Sequence, residues 1–148
     1  MGYNDGEILI ADALLELDEY NPRNVARADW LVLNSGNSPQ YAIVRKGTTT
    51  YTRQGLGATS EHALHETIVE LWRHLRDSDD GVKLQAQQDR VKLHLQGKPF
   101  LGTSGTSVTV RDFYVVNTGA INLRWTSDGG PKWLQVEITT QWAEQSNV

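Results

Sequence analysis

The chain has 148 residues, with 14 basic and 18 acidic side chains and a net charge of −4. It contains no cysteine, which excludes disulfides, thiol catalysis and thiolate metal sites. No cluster of Lys and Arg is dense enough to grip a phosphate backbone, and no run reaches the roughly 18 apolar residues that a membrane helix requires.

In chain order, the first element is a helix over residues 5–20. Asn4 is placed to cap it and Glu7 to complete a capping box, while Ile8, Ala11, Leu14 and Leu15 recur at helical spacing. The same segment lacks the basic start and unbroken apolar run of a signal peptide, and Gly6 stands where a myristoylation pattern needs Ser or Thr. Pro22 stops the helix. "ADWLVL" (28–33) and "QYAIVRKG" (40–47), joined by "NSGNSP", then read as a hairpin. The threonine-rich segment 48–61 begins as a possible continuation of that strand and ends as a flexible loop with glycines at 55 and 57.

Residues 62–76, "HALHETIVELWRHLR", carry two periodicities. Leu64, Ile68, Leu71 and Leu75 would form a helical stripe. As a strand, Ala63, His65, Thr67, Val69, Leu71 and Arg73 share one face, and Leu64, Glu66, Ile68, Glu70 and Trp72 share the other. The central Thr67, Ile68 and Val69 favour the strand. "DSDDG" (77–81) is a loop, and 82–97 reads as a second helix with Leu84, Gln88, Val91 and Leu95 on one stripe and Gly97 and Pro99 as its stop. Strands follow at 107–117, 120–127 and 132–145. In the last, Leu134, Val136, Ile138, Thr140 and Trp142 face one way, and the opposite face, starting at Trp133 and Gln135, is expected to be half-solvated. The order gives an α+β fold: one domain, a mostly antiparallel sheet and two main helices packed on one face.

The chemical motifs fail on spacing. His62, His65 and Glu66 come closest to a zinc site, but the histidines are three apart rather than four and Glu66 follows the second. On the strand reading, His65 and Glu66 point to opposite faces and share no metal. Asp77, Asp79 and Gly81 have the composition of a calcium loop without its glycine and glutamate offsets. The serines of "NSGNS" and "SGTS" lie outside any Gly-x-Ser-x-Gly elbow. No catalytic residue, cofactor or metal is expected. Five tryptophans, at 30, 72, 125, 133 and 142, either fill the core or reach interfaces.

The succession of elements resembles the tail terminator proteins of long-tailed bacteriophages, of the lambda type. The likeness rests on "NDGEILIADALLELDEY" as leading helix, "ARADWLVLNSGNSPQYAIVRKG" as early strand pair and "HETIVELW" as middle strand. An acidic loop, "GVKLQAQQDRVKLHLQG" as second helix and a closing meander ending in "WLQVEITTQWAEQ" complete it. The resemblance implies a virion protein of the tail and neck, not an enzyme, assembled in the host cytoplasm. Such a protein forms a homo-hexameric ring that caps the tail tube, ends its polymerisation and offers a docking surface to the head-completion or connector protein. Genomic DNA would pass through the lumen without specific binding, which a negative lining allows. The loop around Tyr51, Arg53 and Leu56 is then expected to dock along the axis, with Trp142 and Glu144 near a subunit boundary. A head-completion adaptor, or a small ligand-binding α+β domain or enzyme, is the alternative to this role.

Overall fold

A computed structural model describes residues 2–27, 38–53, 61–96, 108–125 and 132–146. The elements are α1 (Gly2–Leu14), β1 (Val25–Arg27), β2 (Gln40–Arg53), β3 (Glu61–His74), α2 (Asp80–Gln96), β4 (Val108–Thr118), β5 (Asn122–Trp125) and β6 (Lys132–Ser146). The sheet order is β1-β2-β3-β6-β4, with β5 also paired to β6. All pairings are antiparallel except β1 with β2. This is the expected α+β domain, and no helix among the described residues is long and apolar enough to cross a membrane.

Residues 61–74 form a strand, and it is central, paired to β2 on one side and β6 on the other. Its alternation places Val69 and Leu71 on the helix-covered face, in cross-strand rows with β2 and β6. One row is Ala42–Leu71–Val136, the next Val44–Val69–Ile138. All six are wholly buried, and with Ile10, Leu14, Leu84, Val91, Leu95 and Trp142 they belong to one core cluster. β-branched side chains fit such pleated rows, and burying each stabilises the fold by roughly 1.5–3 kcal/mol. The expected α2 stripe, Leu84, Gln88, Val91 and Leu95, is buried against it. Gln88 is accommodated by donating from Nε2 to the carbonyls of Gly119 (3.0 Å) and Glu137 (3.2 Å).

Three elements depart from expectation. The first helix begins at Gly2, so Asn4 lies inside it rather than capping it, and it ends at Leu14. Beyond Leu14 the backbone tightens into i→i−3 bonds, Glu16 to Ala13 and Leu17 to Leu14, which carry Tyr20 into the core against Gln87. Tertiary burial of that aromatic outweighs the helical tendency of the sequence between. Second, among the described residues the strand that precedes β2 pairs with it in parallel rather than as an antiparallel hairpin. That strand, β1, is at Val25–Arg27, with Val25 opposite Ala42. A parallel pair cannot close with a tight turn and needs a connection of about a dozen residues, supplied by the chain from 28 to 39; the strand expected at 28–33 lies outside the described residues. Third, the closing strands are not a meander: β4 and β5 both pair with β6, on its C-terminal and N-terminal stretches respectively.

β2 also extends six residues past Gly47, to Arg53, so the first half of the 48–61 segment continues the strand, as its sequence allowed. A bulge between Lys46 and Thr49 makes the extension possible. Gly47 sits in it, where an added Cβ would lie 2.6 Å from Glu66 Oε1. The part of that segment expected as a loop, residues 54–60, lies outside the described residues.

Candidate functional site

Two of the three expected docking residues, Tyr51 and Arg53, stand at the far end of β2, opposite Ala63 and Glu61 of β3. Tyr51 is 63% exposed, a large aromatic with most of its surface in solvent at the tip of a strand pair. Leu56 lies outside the described residues. The β2–β3 pair thus carries Tyr51 and Arg53 on a strand, not on a loop.

Trp142 and Glu144 are neighbours on β6. Trp142 is fully buried inside its own chain. Its Nε1 donates to Thr67 Oγ1 at 3.0 Å, and its ring stacks on His65 with centroids 4.4 Å apart. Thr140 Oγ1 donates to the Thr67 carbonyl at 2.7 Å, and Thr49 Oγ1 lies 3.1 Å from His65 Nδ1. The indole therefore has no surface to offer another subunit, and this cluster of polar groups holds three strands in register beneath α1. Glu144 stands opposite Val110 of β4, the strand at this end of the sheet.

The motifs weighed for chemistry occupy separate places. His65 points into the core and Glu66 toward the other face, where its Oε1 accepts from the Thr48 N–H at 3.5 Å. Asp77, Asp79 and Asp80 cluster ahead of α2, but Asp80's oxygens are occupied. Oδ1 accepts from Arg73 Nε at 2.9 Å, and Oδ2 from the N–H groups of Arg76 and Asp77, both at 2.8 Å. Burial pushes the Asp80 carboxyl up, but the Asp77 N–H, Arg73 and the Arg76 N–H outweigh it and hold it at about 2. Asp80 is the first residue of α2, and its carboxylate ties the preceding turn and Arg73 of β3 to the helix N-terminus, where a negative charge is favoured.

The sheet face turned away from the helices holds a polar network that was not anticipated. Arg45 pairs with Glu70, and its Nη2 bonds Glu137 Oε1 at 3.1 Å. Trp72 Nε1 donates to Glu70 Oε1 at 3.0 Å. Arg124 Nε reaches Gln135 Oε1 at 3.4 Å. Three neighbouring strands thus each contribute a charged residue at an outward position of the alternation, which is the sequence signal that could have located them. At one end of this face Tyr41 packs on Trp133 (5.8 Å between centroids) and His74 on the same indole (5.1 Å). Burial, then the Arg76 guanidinium, lowers the His74 pKa. Trp133 and Gln135, expected on a half-solvated face, are both buried. A groove of about 250 Å³ runs between α2 and β4, lined by Lys92, Gln96 and Val115 to Thr118.

No protein-family model and no curated protein matches the chain. Among solved structures it is similar to a chain of the virion of a native gene transfer agent particle. The TM-score is 0.51 at 12% identity, covering 95% of this chain and 96% of that one. At that identity, the likeness establishes a fold shared along nearly the whole of both chains.

Proposed function

We propose that this protein is a structural virion component of the phage neck, forming a ring that caps the tail tube, ends its polymerisation and receives the head connector. The observation that carries the reading is full-length similarity of fold to a virion chain, 95% of one and 96% of the other, joined to the order of elements that resembles the tail terminators. The exposed groups suit such a role. Tyr51 projects at the end of the β2–β3 pair, where an axial partner would meet it, with Arg53 and Leu56 beside it in sequence. The net charge of −4 suits a lumen through which DNA slides without being held.

The test is to add the purified protein to tail tubes polymerising in solution and to measure tube length and end structure by electron microscopy. Capped ends and arrested growth are expected. Tubes that elongate unchanged, with bare ends and free protein, would overturn the reading. A protein that instead binds only the head connector would point to the head-completion adaptor.

A further inference from the structure

The large apolar side chains left exposed on the described residues sort into separate patches. On the helix layer they are Leu15, Val82 and Leu93, the last two 68% exposed. Val82 and Leu93 belong to a stripe, with Ala86 and Asp89, that recurs at helical spacing along the outer side of α2 and is exposed throughout. Eleven residues at 1.5 Å of rise make it about 16 Å long. Asp89 stands in the stripe itself, and Asp12, Glu16 and Asp18 are exposed on and after α1, where Glu16 Oε1 lies 3.8 Å from His94 Nε2 of α2. Of the bases on this layer, Lys83 pairs with Asp79 and Arg90 with Glu19, while Lys92 and His94 are half-buried.

The second patch follows the β4–β5 edge. Val116, Leu123 and Trp125 are exposed there, flanked by Arg124 and Lys132. The Lys132 ammonium sits 4.4 Å over the Trp125 ring. Val116 lies between the Val115–Thr140 and Asn117–Thr139 pairs, and Leu123 opposite Leu134. The five intervening β6 positions, at about 3.4 Å each, give an edge of roughly 17 Å. Among the described residues, the acid on the adjoining stretch of β6 is Glu137, which is bound to Arg45 on the face that also carries Arg124. Two register shifts bend β4, and β5 has four residues, so this edge is a poor template for strand addition and offers side chains instead.

We propose that the outer stripe of α2 in one copy of this chain packs on the β4–β5 edge of the next copy. The two surfaces match in length, both present large exposed apolar side chains, and Asp89 in the one and Lys132 in the other carry opposite charge. They are different surfaces of one molecule, so the contact is heterologous and propagates head to tail, the geometry from which rings close. The assignment rests on the ring reading above and names the faces through which that ring forms.

The absence of native cysteine makes the contact testable by cross-linking. Chains carrying Leu93→Cys and Leu123→Cys together, treated with a short bis-maleimide, should give a ladder of multimers. Either substitution alone should give none, and a mixture of the two single variants should give dimers only. Independently, Lys132→Glu should raise the half-assembly concentration about tenfold or more, as should Asp89→Lys. Both in one chain should restore assembly to within about threefold. Thermal melts should stay at the wild-type temperature throughout. Self-cross-linking of either single variant, or charge reversals that leave assembly unchanged, would overturn this contact while leaving the ring intact. A wild-type protein that never self-associates, alone or on tubes, would overturn the ring and the contact together.

Discussion

Gly6→Ala tests how α1 is seated on the sheet. In an open helix interior, alanine stabilises over glycine by about 0.5–1 kcal/mol. Here a Cβ at position 6 would lie 2.5 Å from Trp142 Cε2 and 2.7 Å from its Nε1. That ring cannot swing aside, because it is wholly buried, bonded to Thr67 and stacked on His65. Forcing one methyl group into a packed core costs about 1–3 kcal/mol. The clash therefore exceeds the helical gain, and the net loss should be near 1 kcal/mol. Urea unfolding followed by tryptophan fluorescence should show a lower midpoint at unchanged slope; with a slope of about 2 kcal/mol/M the shift is about 0.5 M. In a Trp142→Leu background the same substitution should be neutral or stabilising, a coupling of at least about 1 kcal/mol. A midpoint that rises in the otherwise wild-type chain would refute the claim that α1 rests directly on this indole.

Trp142→Ala should cost about 3–5 kcal/mol, since it empties a core site and strands the Thr67 hydroxyl, readable as a large fall in melting temperature. Tyr20→Phe should cost about 1–3 kcal/mol, because Gln87 Oε1 is already buried without a partner and its Nε2 would lose the phenol it donates to. Restoring most of that loss by adding Gln87→Leu is the expected sequel in chemical denaturation. Asp80 has a folded pKa depressed to about 2 from an ordinary 3.8, so its stabilisation is complete above the ordinary value and disappears as pH falls from about 5 through 2. The stability–pH curve should lose up to about 2 kcal/mol in that window, a loss that Asp80→Asn abolishes by removing the titration. Tyr51→Ser should leave stability within about 0.5 kcal/mol, as expected of a mostly exposed side chain, yet reduce tube capping.

Where one face alternates with another, the chain was readable. Leu134, Val136, Ile138, Thr140 and Trp142 point inward as their spacing requires, and Thr67, Ile68 and Val69 decided β3 correctly against a plausible helical stripe. What escaped depends on partners far along the chain. Val25–Arg27 is too short to announce itself, and its parallel pairing exists only because β2 offers an edge. Trp133 and Gln135 carry the pattern of an outward face but are buried, Trp133 against Tyr41 and His74. Likewise, nothing local to Trp142 distinguishes an interface residue from the core residue it is. Tyr51 was singled out from its setting in a polar segment and is exposed, though on a strand, because the bulge at Lys46–Thr49 carries pairing past Gly47.

The central claim is a closed ring on the tail tube, and native mass spectrometry of the protein alone and released from purified tubes tests it most directly. A hexamer of 16.6 kDa chains, about 100 kDa, is predicted to dominate the tube-bound fraction. A tube-bound fraction of monomers, or no tube-bound protein at all, would contradict the account.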